Sequence, residues 1–252
     1  MATDLYNMIS RLALKSFNTP KETPFETPSE QTNEENRLPL IIFILGAPGA
    51  GKGTHSKRLR RDFQPLTHLS YGDVLRYHAS IPASWVSTFP RRGGGVDGNP
   101  VLPAADEVRL LRETIESGVP RCQNMRLIDG FPRTKAHMEA WAEAQMPQAV
   151  CALYLHCDIE VLVRRVRHRA ESSGRPDDAD DAKARERVEI NVSESEDMLR
   201  ARREAGIPIV DIDADRDPDT VYSDISRHIE VSTFAICMID SWGATEEMRF
   251  GY

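Results

Sequence analysis

The segment Leu40–Thr54, LIIFILGAPGAGKGT, constrains the fold of this 252-residue chain more than any other stretch. Its opening run, Leu40–Leu45, is continuously apolar, as a strand buried on both faces of a parallel sheet would be. The run ends in a loop that holds Gly46, Gly49 and Gly51, and Lys52 follows. Glycine lets the backbone approach a ligand closely and take left-handed angles. Successive N–H groups can then turn inward around a phosphate at the start of the next helix. Lys52 supplies the cation for the outer phosphates. In the generic P-loop a Ser or Thr follows this lysine directly; here Gly53 intervenes and the hydroxyl belongs to Thr54. The bland alternative, a glycine-rich turn that binds nothing, is disfavoured by the strand before it and the helix after it.

Composition narrows what surrounds that loop. An apolar content of 40% and a charged content of 28% fit one globular core with small mobile appendages. A net charge of −7 argues against a nucleic-acid binder, so anion binding must come from local clusters. Cys122, Cys151, Cys157 and Cys237 form no CxxC pair. They suggest neither a disulfide framework nor a zinc site, and they fit a reducing, cytoplasmic compartment. No apolar run approaches membrane-spanning length, so no membrane partner is expected. Residues 1–38 read as a disordered tail, because Lys21–Asn36 is rich in Pro, Thr and Glu and poor in large apolar residues. Leu5–Phe17 could form a short basic amphipathic turn or two, and Asp4 with a single Arg11 speaks against a transit peptide.

Periodicity orders the rest. Lys52–Asp62 reads as a basic helix, Leu66–Leu69 as a short strand, and Gly72–Tyr77 as the start of a helix. Pro82, Pro90, Gly93–Gly95, Gly98 and Pro100 make 80–103 a loop or insertion. A helix resumes at Ala104–Ser117 with Val108, Leu111 and Ile115 on one face. Met125–Ile128 is a strand ending at Asp129-Gly130; Thr134–Gln145 is helical, and Val150–Leu155 is a strand. Asp158–Arg169 is a helix with Ile159, Leu162, Val163 and Val166 at i, i+3, i+4, i+7. Asp180–Ala205 is a long charged helix closed by Gly206, then Ile207–Ile212 is the last strand and Pro218–Glu230 the last helix. Strands alternating with helices imply parallel pairing and right-handed crossovers, hence a three-layer α/β sandwich. Ligands in such folds bind at the carboxyl ends of the strands. The P-loop, Ser70-Tyr71-Gly72-Asp73 and Asp129-Gly130 all follow strand ends, so one shared site is expected.

Three further stretches carry chemistry. In LIDGFPRT, Leu127–Thr134, a strand-terminal Asp129 can hold Mg²⁺ through water, Gly130 allows close backbone approach, and Arg133 can clamp a phosphate bidentately. Standing alone, Asp129 could be a helix cap and Arg133 a solvated charge; the P-loop tips the balance to a site. In HLSYGDVLR, His68–Arg76, Asp73 and Arg76 lie one turn apart. They are either a surface pair contributing a few tenths of a kcal/mol or a phosphate ligand, Arg76, beside a carboxylate near Mg²⁺. The stretch RRVRHR, Arg164–Arg169, is followed by Arg175, Arg185 and Arg187 in an otherwise acidic chain. Arg165 and Arg169 face the same way and repel by a few tenths of a kcal/mol, which a bound polyphosphate offsets. Arg164 and Arg167 read as a solvated face. Ser172-Ser173-Gly174 beside Pro176 looks like a flap between helices, suited to closing over phosphates and expelling water.

These four stretches, in this order and spacing, resemble the adenylate kinase family, including its UMP/CMP kinases. The resemblance covers roughly Pro39 to Glu230. It implies a P-loop kinase fold around a parallel sheet of about five strands, with an acceptor-binding segment near 70–103 and a lid near 169–182. The activity it implies is reversible phosphoryl transfer from MgATP to a nucleoside monophosphate (AMP, UMP or CMP). By resemblance, Gly49, Ala50, Gly51, Lys52, Gly53 and Thr54 wrap the ATP phosphates, with Arg165 and Arg169 also serving ATP. Arg76 and Arg133 hold the acceptor phosphate, and Arg175 and Arg187 close from the lid side. Asp73 and Asp129 organise Mg²⁺ through water. Tyr71, Leu102, Gly130 and His137 line the acceptor. Counting forward from Arg175 points to Glu186 and counting back from the next strand to Arg187; an extra residue within 179–186 explains both, and Arg187 is preferred. The short lid lacks a cysteine set, so no structural zinc is expected, and a monomer is expected. Tyr71 stands where relatives carry a small residue, and His137 where they carry Gln or Asn. The competing reading is a nucleotide-binding module with a degenerate acceptor site, against which stands the joint presence of Lys52, Arg76, Asp129, Arg133, Arg165 and Arg175. A different small-molecule P-loop kinase is a weaker third reading, and LIDGFPRT speaks against it. The role of 231–252 is not legible.

Overall fold

The computed structural model describes residues 39–63, 66–91, 99–117, 125–173, 181–204 and 206–247. Five parallel strands form its sheet: β1 Leu40–Leu45, β2 Leu66–Ser70, β3 Met125–Asp129, β4 Ala149–His156 and β5 Ile209–Asp213. Their order is β2-β3-β1-β4-β5, so successive crossovers leave β1 on opposite sides. The gap between β3 and β4, above β1, is therefore the topological switch point where such sheets bind ligands. Register makes that edge level: Ile44 pairs with Asp129, Asp129 with Ser70, and Leu45 with Tyr154.

Helices over the described residues are α1 Lys52–Asp62, α2 Tyr71–Ser80, α3 Ala104–Glu116, α4 Lys135–Glu143, α5 Ile159–Ser173, α6 Asp181–Glu204 and α7 Pro218–Glu247. The apolar stripe expected on α3 is buried at Val108, Leu111 and Ile115, joined by Leu110. On α5, Leu162, Val163 and Val166 are buried as their spacing requires. Each such side chain contributes roughly 1.5–3 kcal/mol when fully buried. Between β1 and α4 lies an aromatic cluster: Phe43 meets Trp141 edge-on at 5.4 Å, and Phe131 lies 5.7 Å from Trp141 and 5.9 Å from Tyr71.

Several boundaries differ from expectation. The 80–103 region contains a 3₁₀ turn, Trp85–Thr88, and a bridge between Arg91 and Pro100. Ser84 caps that turn, its Oγ accepting from Val86 N–H. α5 runs on to Ser173 and α7 to Glu247, well past Arg169 and Glu230. The chain divides into two units, and Leu38–Pro218 carries the whole sheet. α7 past Pro218 belongs to the other unit, so the expected boundary at 230 falls inside this helix. Val221, Ile225 and Ile229 mark its buried face at four-residue spacing. The N-terminal tail, the tip of the expected lid with Arg175, and Cys122 lie outside the described residues.

Candidate active site

The P-loop is built on close approach. A Cβ at Gly49 would sit 2.6 Å from the Leu162 carbonyl oxygen of α5, and one at Gly46 would sit 2.3 Å from the Leu155 carbonyl oxygen of β4. Both glycines have positive φ, so any side chain there meets backbone and strain together. Lys52 arches back over the loop, its Nζ donating to the carbonyls of Gly46 at 2.9 Å and Ala47 at 3.2 Å. An ammonium has three N–H donors, so one remains for a ligand. Burial holds the Lys52 ammonium below its usual value; Asp129 opposes that shift, while Arg133, Arg169 and Arg187 add to it. Four residues named from sequence, from three separate stretches of the chain, thus bring their charge to one ammonium.

Asp129 ends β3 with its side chain 14% exposed, and His68 Nε2 lies 3.8 Å from its carboxylate. A strand-end carboxylate next to the loop lysine fits a water-held Mg²⁺. Asp73 fits less directly, because Arg76 Nη2 is hydrogen-bonded to its carboxylate. Both are exposed, at 43% and 63% for the Arg76 and Asp73 side chains, so this pair adds little to stability. Among the described residues, no group of three or more His, Cys, Asp or Glu is placed to hold a metal ion.

Arg133 is fixed from several directions. Its Nε donates to the Gly130 carbonyl at 2.8 Å, and its guanidinium carbon lies 5.4 Å from the Tyr71 ring centre. Thr134 caps α4 with its Oγ1, and His137 Nδ1 accepts from the N–H groups of Arg133 at 3.0 Å and Thr134 at 3.3 Å. With Nδ1 an acceptor, the neutral ring carries its proton on Nε2. That nitrogen lies 3.1 Å from Glu107 Oε2. Tyr71, 1% exposed, completes the group; burial and then the Glu107 carboxylate push its phenol far above its usual value, with Arg133 opposing. Tyr71 thus stays a neutral donor. Leu102 is buried nearby in the same apolar cluster as Tyr71 and Phe131.

Arg165 turns toward the end of β5, donating from Nη1 to the Ala214 carbonyl at 2.9 Å and lying 3.5 Å from Cys157 Sγ. Burial and a 2.6 Å bond to Asp215 push the Cys157 thiol up to about 12. Arg169 and Arg187 are half-buried, whereas Glu186 is exposed. Ala50 is buried, Gly51 half-buried, and Gly53 and Thr54 exposed at the start of α1.

Sequence reading missed Glu107, Arg202 and the Ala214 carbonyl. Glu107 stands beside Asp106 in the first turn of α3, outside every motif of the sequence. Arg202 looked like one more charge on α6, yet it is fully buried. A backbone carbonyl has no signature in residue identity.

A parallel α/β sheet with a lysine-bearing phosphate loop at its switch point, ringed by arginines from separate helices, defines a P-loop phosphotransferase. A family model for adenylate kinase matches residues 44–207. The uridylate kinase of Schizosaccharomyces pombe is 30% identical over 200 residues, covering 75% of this chain and 97% of the relative. The UMP-CMP kinase of Danio rerio is 30% identical over 200 residues, covering 76% and 97%. That of Homo sapiens is 30% identical over 191 residues, covering 74% and 95%. The chain belongs to the adenylate kinase family. It is an ATP-dependent nucleoside monophosphate kinase.

Proposed function

We propose that the chain moves the γ-phosphoryl group of ATP reversibly onto a pyrimidine nucleoside monophosphate, UMP or CMP. The observation that carries this reading is the gathering of Asp129, Arg133, Arg169 and Arg187 around Lys52. Phosphoryl transfer asks for alignment, charge neutralisation and exclusion of water rather than covalent work by the protein. Loop amides from Gly49 to Thr54 hold the ATP phosphates, and the free Lys52 donor follows the migrating group. Arg165 and Arg169 serve the donor nucleotide, Arg165 from its station at Ala214. Arg76 and Arg133 hold the acceptor phosphate. Arg187, and Arg175 from the lid, neutralise charge as the site closes. Mg²⁺ bound with ATP would screen the β- and γ-oxygens, and Asp129, with Asp73 farther out, would orient its waters. The choice of acceptor follows the similarity to uridylate and UMP-CMP kinases, and it draws on Glu107.

Tyr71, Glu107 and His137 form the base-facing wall. Glu107 supplies the carboxylate of this wall, with His137 Nε2 3.1 Å away and the Tyr71 phenol held neutral beside it. A negative wall attracts an amino edge and repels a carbonyl edge. CMP is therefore the favoured acceptor. The competing reading, a nucleotide-binding module without turnover, is favoured by one observation: Tyr71 is only 1% exposed. A coupled assay of ADP formation with CMP, UMP, AMP and GMP decides between them. Product with CMP above UMP is expected; no product with any of the four leaves only the binding module.

A further inference from the structure

Arg202 is the largest fully buried side chain of the described residues, 0% exposed, and it lies well along α6 from Arg187. Its Nη2 donates to the Pro132 carbonyl at 3.1 Å, and its guanidinium carbon lies 5.3 Å from the Phe43 ring centre. Nε and Nη1, both buried, have no hydrogen-bond partner among the described residues. Burial alone pushes the guanidinium down to about 9. A buried cation with a single carbonyl partner and a ring face is a poor way to stabilise a core, since an apolar side chain of similar volume would avoid the desolvation cost. Its value must lie in what that one bond holds.

The bond holds one end of a peptide unit. The carbonyl of Pro132 and the N–H of Arg133 belong to the same plane, and at a trans peptide they point opposite ways. Arg202 takes the carbonyl end at 3.1 Å, and His137 Nδ1 takes the N–H end at 3.0 Å. The plane is gripped from α6 on one side and from α4 on the other. Its tilt sets where the Arg133 side chain leaves the backbone, three residues after the positive-φ Gly130. Phe131, 5.1 Å from the His137 ring and 5.9 Å from Tyr71, blocks the loop from sliding but does not set that tilt.

We infer that Arg202 is a positioning residue: it clamps the Pro132–Arg133 peptide plane against His137 and so aims the Arg133 guanidinium at the acceptor phosphate. The inference rests on the role proposed above for Arg133. It also ties that loop to the helix that carries Arg187, so the two arginines are held by one body.

The test uses the full chain and two variants, Arg202→Met and Arg202→Lys, with three readouts: Tm, KM for ATP, and kcat/KM for the preferred monophosphate. In the Met variant kcat/KM for the monophosphate should fall about ten- to a hundredfold, the scale of a small misplacement of a reacting group. Its Tm should hold or rise, and its KM for ATP should stay within about twofold. The Lys variant keeps a donor for Pro132 and should hold kcat/KM within about threefold of the parent chain. A Met variant as fast as the parent overturns the clamp. So does a Met variant that loses Tm and ATP binding together, or a folded Lys variant as slow as Met. If the parent chain turns over no monophosphate, the proposed function fails instead, a separate result.

Discussion

The two halves of the site are built from different materials. Around Lys52 the structure uses backbone: carbonyls of Gly46 and Ala47 hold the ammonium, and glycines at 46 and 49 let the loop lie against β4 and α5. Around Arg133 it uses side chains from separate helices: Tyr71 opens α2, Glu107 lies in the first turn of α3, His137 in that of α4, and Arg202 comes from α6. A backbone cradle recognises phosphate, which every nucleoside triphosphate shares. A side-chain wall can be altered one residue at a time without disturbing the sheet. On the proposed function, the donor half would enable the reaction and the acceptor half would select its substrate.

Lys52→Met should break the comparison most severely. Losing the cation at the migrating group should lower kcat about a thousandfold, as loss of a preorganised charge stabiliser does. Tm should move little, because the buried ammonium is already disfavoured there. A kcat within about tenfold of the parent would remove Lys52 from the chemistry. Arg133→Ala comes next. Turnover should fall roughly a hundredfold, with ATP affinity, measured by calorimetry, nearly intact. If ATP affinity fell in step with turnover, the division into two halves would be wrong.

A pH effect separates the halves differently. His55, on α1 three residues after Lys52, is 4% exposed, and burial, then Arg58 and Arg165, push it down to about 4. Its folded value lies below its unfolded value near 6.5, so between those two values the unfolded chain binds more protons. Stability therefore rises with pH through that window and is lost on acidification from 6.5 toward 4. The loss approaches 1.4 kcal/mol per pH unit, about 2 kcal/mol by pH 5. His55→Gln should flatten Tm against pH over this window. An unchanged slope would mean that His55 is charged in the folded protein.

Legibility in the sequence followed the same division. The donor half is local: strand, loop and helix lie within Leu40–Asp62, and their boundaries match the apolar run, the glycines and the basic helix. The sheet was legible for a related reason, since each strand is a short apolar run between turn signals. Helix ends were less so: α7 continues past Glu230 because no glycine or proline intervenes until Gly243. The acceptor half was only half legible. Tyr71 and His137 stood out by residue type, but Glu107 acquires meaning only when α3 folds against α4. Arg202 gave no signal because a charge on a charged helix reads as solvated, and only packing reveals that this one is enclosed.

The smallest predicted effect is the one that sharpens the comparison most. Glu107→Gln removes the carboxylate of the wall but keeps its length. The amide can donate where the carboxylate could only accept. The uracil carbonyl should then be tolerated and the cytosine amine should lose its charged partner. The ratio of kcat/KM for CMP to that for UMP should fall by about tenfold, some 1.4 kcal/mol, mostly through KM. KM for ATP should stay put, because the donor half contains no part of this wall. A ratio that holds in a folded variant would make the Tyr71–Glu107–His137 group a packing device. Selection of the acceptor base would then have to lie elsewhere along the acceptor half.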